Sequence, residues 1–170
     1  MGSRGAGSGR NAPFSNSNSK IKQTLYHGTS RDFDEFSSKR IGENTGNNGL
    51  FGEGFYFTQN KALSESYANG GNVYSVKVNI ENPFNWNSIK TEADFNDFQK
   101  KIGVKGITWN KTEKQIHVIT DAATEKAFTK ALKKQGFDGV VYKYKSGAKE
   151  IVAFNAKQIK IIDKEKVKKA

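Results

Sequence analysis

The stretch GEGFYFT, residues 52–58, combines two glycines with three consecutive aromatic side chains. Glycines that precede such a run indicate the start of a strand, and we predict a strand over residues 53–58. Residues 60–68 follow as a predicted short helix, with Asn60 as its N-cap. Tyr67 lies on that helix, eleven residues after Tyr56. The predicted strand and the short helix that follows it therefore carry one tyrosine each, eleven residues apart.

Two further strings read as strands that carry a polar side chain near one end. LYHGT, residues 25–29, predicts a short strand over residues 23–28 that ends at His27 and Gly28. EIVAF, residues 150–154, predicts an apolar strand that opens with Glu150. Each string alone is a weak signal, but three of them in one order and at compatible spacing are a strong one.

Together the three strings resemble the H-Y-E class of ADP-ribosyltransferases, which includes poly(ADP-ribose) polymerases and diphtheria toxin. The small transferase domains of phage and mobile-element polyvalent proteins are especially similar. The resemblance covers roughly residues 24–163. It implies that the chain uses NAD⁺ as a co-substrate and transfers its ADP-ribose part to an acceptor.

The rest of the chain predicts an α+β domain, since strands and helices do not alternate regularly. Further strands are predicted over residues 73–78, 139–144 and 159–162, and helices over residues 92–102 and 121–135. The resemblance implies two packed, mainly antiparallel sheets, a split sandwich with flanking helices and the NAD cleft between the sheets. A polar segment, residues 37–49, is predicted to be a loop over that cleft.

The ends of the chain differ in composition from its middle. Residues 1–20 are mostly Gly, Ser, Asn and Arg and predict a flexible linker or tail, whereas residues 21–163 form the predicted catalytic domain and residues 164–170 a basic tail. No apolar run approaches the length of a membrane span, and no signal peptide is recognisable. We therefore expect a cytoplasmic site of action.

The net charge of +11 indicates an acidic partner or a lysine-rich solvated surface. The chain has no cysteine, which excludes disulfides, thiolate metal sites and a cysteine nucleophile. Lysines cluster in two groups, which are Lys126, Lys130, Lys133 and Lys134, and Lys157, Lys160, Lys164, Lys166, Lys168 and Lys169. RNA or DNA is therefore a possible acceptor beside protein, and charge alone does not choose between them.

Glu150 is the predicted catalytic carboxylate. Breaking the bond between nicotinamide and ribose leaves positive charge at C1′, which a nearby carboxylate stabilises electrostatically. A carboxylate at the start of an apolar strand has no packing reason to be there. The alternative is a glutamate at a strand start or on an edge strand, paired with Lys149 or Lys145.

The resemblance assigns the other site residues. Tyr67 stacks on the nicotinamide ring, Tyr56 closes its other side, and Ser64 bonds the carboxamide. Helix geometry supports part of this, because residues three apart share a face. Without the other strings, Tyr56 reads as a core strand residue and Tyr67 as an ordinary helix anchor.

His27 is predicted to bond the adenosine ribose, and the backbone of Gly28 to clamp the carboxamide, where glycine lets the main chain come close. Thr29 is predicted to add contacts to the adenosine ribose or phosphates. A buried structural histidine is the alternative, and it fits His117, inside QIHVI, better than His27. No metal cluster and no phosphate-binding loop accompanies these residues, so we expect NAD⁺ without a metal.

The sequence departs from arginine-directed relatives at one position, since Ala148 stands where they carry a second Glu or Gln. Modification of arginine is therefore not expected. Mono-transfer is the simpler expectation, because the long helical regulatory domain that precedes the catalytic part of large polymerases has no room in these 170 residues. Toxin, defence and phage host-modifying roles remain open, as does the oligomeric state. The alternative from another class is a non-catalytic NAD- or ADP-ribose-binding module or a structural phage component.

Overall fold

The computed structural model describes residues 13–38, 50–119 and 121–168. The strands are β1 (Leu25–Thr29), β2 (Phe55–Thr58), β3 (Asn72–Val78), β4 (Pro83–Asn85), β5 (Ile107–Asn110), β6 (Gln115–Val118), β7 (Gly139–Lys143), β8 (Lys149–Ala153) and β9 (Ile159–Lys166). The α-helices are α1 (Lys61–Ala68), α2 (Glu92–Ile102) and α3 (Ala122–Lys134). The predicted loop over residues 37–49 lies almost entirely outside the described residues.

The helices begin where side chains satisfy free backbone N–H groups. Asn60 Oδ1 accepts from the Leu63 N–H before α1, which confirms the predicted N-cap. Thr91 and Asp94 form a reciprocal capping box at the start of α2, and Asp121 caps α3. The predicted helices over residues 92–102 and 121–135 are thus confirmed within one residue at each end.

Seven strands form one sheet in the order β4-β7-β8-β2-β1-β3-β9, and β5 and β6 form a separate hairpin. Neighbours in the large sheet are antiparallel except β4 and β7. Strands β1 and β2 share a single register pair, Tyr26 with Thr58, whereas β1 and β3 share five. The sheet therefore divides between β1 and β2 into two halves.

Side chains from both halves of the sheet meet in one of two hydrophobic clusters. Phe55, Phe57 and Ile151 of the β2–β8 half meet Leu25 and Tyr74 of the β1–β3 half in that cluster. The predicted α+β class is confirmed, with one large mixed sheet, a small two-stranded sheet and three α-helices among the described residues.

The second cluster covers the other face of the β2–β8 half. Tyr56 and Val152 point from the sheet into it, where Phe128 and Leu132 of α3 and Phe98 of α2 pack against them. Phe128 and Leu132 are fully buried. Consecutive residues of β2 thus serve different clusters, so Tyr56 and Phe57 lie on opposite faces of the strand.

Both predicted boundaries of the catalytic domain fall within ordered structure. Ser19 is buried, and its hydroxyl donates to the carbonyl of Ile21. Strand β9 continues through Lys166, so Lys164 of the predicted basic tail pairs in register with Tyr74 of β3. Among the described residues no helix is both long and apolar enough to cross a bilayer.

His117 is exposed on β6, so its interpretation as a buried histidine is wrong. Ile116 and Val118 on either side of it are buried. Side chains alternate between the faces of a strand, so the residue between two core positions points outward. The apolar neighbours in QIHVI therefore exclude His117 from the core.

Candidate active site

Glu150 lies in β8, an inner strand of the sheet with β2 on one side and β7 on the other. It stands in register with Thr58 of β2 and Tyr142 of β7. Only 6% of its surface is exposed. The edge-strand alternative therefore does not apply to Glu150, whose carboxylate is held on an inner strand, where burying charge is costly.

The charge of Glu150 acts on three tyrosines, one of which is its hydrogen-bond partner. The Tyr144 hydroxyl donates to Glu150 Oε1 at 3.2 Å, and burial together with the charge of Glu150 raises the pKa of Tyr144 well above its ordinary value. Burial and the same charge also raise the pKa of Tyr67 and of Tyr56. The negative charge of Glu150 thus contributes to the raised pKa of all three tyrosines.

Tyr67 is the accessible member of this group, with 41% of its surface exposed on α1. Tyr144, in the turn between β7 and β8, is 39% exposed. Both rings thus present surface to a molecule that approaches Glu150. A flat cationic ring such as nicotinamide is stabilised by such aromatic faces.

Tyr56 is held differently, because it is buried and both hydrogen-bonding capacities of its hydroxyl are used. The hydroxyl donates to the Gly52 carbonyl at 2.5 Å and accepts from the Phe51 N–H at 2.8 Å. Its ring stacks on that of Phe51 at 6.2 Å. Tyr56 therefore fixes the turn before β2, and its predicted contact with nicotinamide stays a prediction.

Gly28 lies where α1 crosses β1. A Cβ at this position would overlap the carbonyl oxygen of Ser64. Ser64 is fully buried, and its hydroxyl donates to the Lys61 carbonyl at 2.6 Å. Glycine is thus required for helix packing as well as for the predicted approach of the main chain to a ligand. This contact brings the two predicted carboxamide-binding residues together.

His27 packs on the opposite face of β2 from Tyr56. Its ring meets those of Phe36 and Phe57 at centroid distances of 5.2 and 5.7 Å. Nδ1 donates to the Tyr56 carbonyl at 2.7 Å, so the neutral ring carries its proton there and Nε2 is an acceptor. This tautomer suits a bond from a ribose hydroxyl. Burial lowers the pKa of His27 below 6.5, and the bond to Tyr56 only partly offsets that effect.

We expect the stability of the protein to fall at mildly acidic pH because of His27. Its folded-state pKa is lowered, so the unfolded chain binds more protons once the pH drops below about 6.5, and the free energy of unfolding decreases until the pH passes the folded-state pKa. The slope in that window is at most about 1.4 kcal/mol per pH unit. Urea unfolding from pH 8 to pH 5 measures it.

His27→Gln should lose this pH dependence, and His117→Gln on exposed β6 is the matched control that should keep it. If both variants showed the wild-type slope, His27 would not be the group responsible.

Thr29 is buried at the end of β1, and its Oγ1 accepts from the Arg31 N–H at 3.1 Å. The predicted contact of Thr29 with the ribose or phosphates stays a prediction. Across residues 13–38, 50–119 and 121–168 no three His, Asp or Glu side chains are grouped so as to hold a metal ion.

Tyr144 is the residue of this cluster that the sequence prediction missed. It lies six residues before Glu150, in the turn of the β7–β8 hairpin. The sequence could have indicated Tyr144 through the β7–β8 hairpin, because a short turn between two antiparallel strands places its residues close to the start of the second strand. With Tyr144 included, the cluster joins a carboxylate and aromatic faces in one accessible place.

Comparison with known proteins identifies one family. A family model described as ADP-ribosyltransferase in polyvalent proteins matches residues 22–169. No curated protein matches the chain. Among solved structures, the crystal structure of an anti-CRISPR protein is similar at a TM-score of 0.40 and 13% identity, over 84% of this chain and 97% of that chain. Similarity at that level carries no argument about function.

Proposed function

The chain belongs to the family of ADP-ribosyltransferases in polyvalent proteins, and we propose that it is a mono-ADP-ribosyltransferase that moves ADP-ribose from NAD⁺ to a macromolecular acceptor. One observation carries the proposal within the family: the buried carboxylate of Glu150 accepts from the Tyr144 hydroxyl, and its charge reaches exposed Tyr67. Charge stabilisation and an aromatic platform are what cleavage of NAD⁺ needs.

The reaction breaks the bond between ribose C1′ and the nicotinamide nitrogen. The electron pair of that bond goes to the nitrogen, and neutral nicotinamide leaves. A lone pair of the acceptor forms the new bond to C1′, and the proton of the acceptor goes to solvent. In the proposed mechanism Glu150 stabilises the positive charge that develops at C1′ by holding the ribose 2′-hydroxyl.

Binding of NAD⁺ is assigned to the residues around Glu150 and along β1. Tyr67 stacks on nicotinamide, and Ser64 with the backbone of Gly28 holds the carboxamide. His27 and Thr29 bind the adenosine side. Support comes from the tautomer of His27, which leaves Nε2 as an acceptor. In this proposal Tyr56 acts as a positioning residue, because its hydroxyl already fixes the turn at Phe51.

Transfer to arginine is not part of the proposal, because Ala148 occupies the position of the second acidic or amide side chain in arginine-directed relatives. We further propose a cytoplasmic site of action and a role as a toxin, a defence factor or a phage host-modifying factor. The competing proposal is a module that binds NAD⁺ or ADP-ribose without cleaving it.

Labelled transfer tests the proposal. The purified protein is incubated with NAD⁺ labelled in the adenylate part, together with separated protein, RNA and DNA from cells. The proposal expects covalent label in at least one fraction, dependent on Glu150. Label in none of the fractions, with NAD⁺ recovered intact, would favour the binding module.

A further inference from the structure

A groove of about 1450 Å³ is lined in part by Tyr144, the hydrogen-bond partner of Glu150. Its walls come from the segment after β4, from the turn between β5 and β6, and from the β7–β8 hairpin. The first and third walls are tied together, because the Asn87 side chain donates to the Lys143 carbonyl at 3.0 Å and accepts from the Lys143 N–H at 2.7 Å. We call this feature the lysine groove.

Five lysines and one carboxylate, Glu113, line the lysine groove. The lysines are Lys90, Lys114, Lys143, Lys145 and Lys149. The ion pairs of Lys61 with Glu165 and of Lys164 with Asp32 and Asp34 involve none of the five, and the carboxylate of Asp94 accepts from the Lys90 backbone N–H at 3.1 Å. Elsewhere the lysines are partly neutralised, since Lys164 pairs with Asp32 at 2.6 Å and Lys61 with Glu165 at 2.8 Å. With five lysines against one carboxylate in its lining, the groove carries a net positive charge.

The groove and the proposed catalytic carboxylate share Tyr144 as a neighbour. Tyr142 and Tyr144 both line it, and their rings meet edge to face at 4.7 Å. Tyr144 also donates to Glu150. A molecule that contacts the exposed Tyr144 ring in the groove would thus be separated only by that side chain from the carboxylate that would stabilise C1′.

We propose that the lysine groove binds single-stranded nucleic acid as the acceptor for ADP-ribose. This inference rests on the proposed transferase function and names its acceptor class. Lysines that track a phosphate backbone beside an aromatic side chain on which a base stacks are the usual elements of a site for single strands. An acidic protein segment fits less well, because lysine is depleted where proteins bind each other.

The acceptor atom is a base nitrogen or a hydroxyl or phosphate oxygen of the bound strand. Its lone pair forms the bond to C1′ as the bond to nicotinamide breaks, nicotinamide leaves with the electron pair, and any proton on the acceptor atom passes to solvent. The lysines hold the strand and take no part in these bond changes.

Binding of labelled oligonucleotides tests the groove. Fluorescence anisotropy is measured with short single-stranded RNA and DNA of one mixed sequence, with the duplex, and with polyglutamate as an acidic-protein competitor. The groove variant replaces Lys90, Lys114, Lys143 and Lys145 with Gln. The matched control replaces Lys126, Lys130, Lys133 and Lys134 with Gln and removes the same charge from the α3 segment.

We expect the wild type and the control to bind single strands, and the groove variant to bind at least about tenfold more weakly. The slope of log affinity against log salt should flatten by about 0.7 for each phosphate that no longer pairs with a lysine. Lys90→Gln with Lys114→Gln alone should give an intermediate result, which keeps the test valid if the fourfold variant folds poorly. The RNA and DNA arms show which strand is the better ligand.

Equal affinity of wild type and groove variant, no binding of single strands, or polyglutamate competing as well as the oligonucleotide would each overturn the groove proposal. The label transferred to oligonucleotide per nicotinamide released should also fall in the groove variant. If the wild type releases no nicotinamide from NAD⁺, the transferase proposal fails. The oligonucleotide binding measurements still test whether the groove binds single-stranded nucleic acid.

Discussion

Replacing Glu150 with glutamine is expected to lower the rate of ADP-ribosyl transfer by roughly two to three powers of ten. Glutamine keeps the size of the side chain and can still accept from the Tyr144 hydroxyl, but it removes the negative charge. The charge matters most when C1′ becomes positive, so kcat should fall while the affinity for NAD⁺ survives. Rates of transfer and calorimetric NAD⁺ binding measure the two effects.

Glu125→Gln is the matched control for this substitution. Glu125 is also partly buried, and burial raises its pKa, but it lies on α3. Its replacement should leave transfer within a few-fold of wild type. Near-normal transfer and NAD⁺ hydrolysis by Glu150→Gln would remove Glu150 from the mechanism.

Tyr67→Ala is expected to raise KM for NAD⁺ as its main effect. The increase should correspond to a loss of about 1–3 kcal/mol of binding free energy, the range for a base stacked on an aromatic side chain. The reason is that the exposed ring would grip nicotinamide before the bond breaks as well as afterwards. Tyr67→Phe keeps the stacking face and should change KM little. Steady-state kinetics of nicotinamide release measure both variants.

Leu63 offers a control on the same helix, one turn earlier and 40% exposed. Leu63→Ala removes apolar surface from α1 without touching a stacking ring, so it should leave KM near wild type. Unchanged KM in Tyr67→Ala, or an equal increase of KM in Leu63→Ala, would show that Tyr67 contributes to the packing of α1 and does not contact NAD⁺.

Local chemistry explains why much of the fold was predictable. Helix α2 was predicted over residues 92–102 and observed there because Thr91 caps its start and Gly103, at φ +58°, ends it. Strands β1, β2 and β8 could be predicted because each combines aromatic or β-branched residues with a glycine or a charged residue near one end. These signals lie within a few residues of one another, so a sequence displays them directly.

Features that depend on distant segments were missed. Strand β4 is three residues long and is stabilised by parallel pairing with β7, more than fifty residues away. The lysines of the groove come from three separate segments, so the sequence pointed instead to the contiguous lysines of the α3 segment and the C-terminus. Of those, Lys164 turned out to be paired with Asp32. Lysines that are contiguous in sequence are therefore a poor guide to where positive charge collects in space.

Tyr56 shows why residue type alone did not fix a role. The sequence predicted an aromatic wall for nicotinamide and offered a core residue as the alternative. The structure gives the ring a place in the core and gives the hydroxyl two backbone partners, at Phe51 and Gly52. Which partners a phenol finds depends on the turn before β2, and no pattern within β2 displays that.

Nicotinamide release from NAD⁺ by the purified chain is the most direct test of the proposed transferase activity. We expect steady release with multiple turnovers, dependent on Glu150, and faster when an acceptor is present. Release is followed by chromatography of free nicotinamide at fixed NAD⁺ concentration. NAD⁺ that binds to the protein and is recovered uncleaved after prolonged incubation with protein, RNA and DNA fractions would show that the chain is not a transferase.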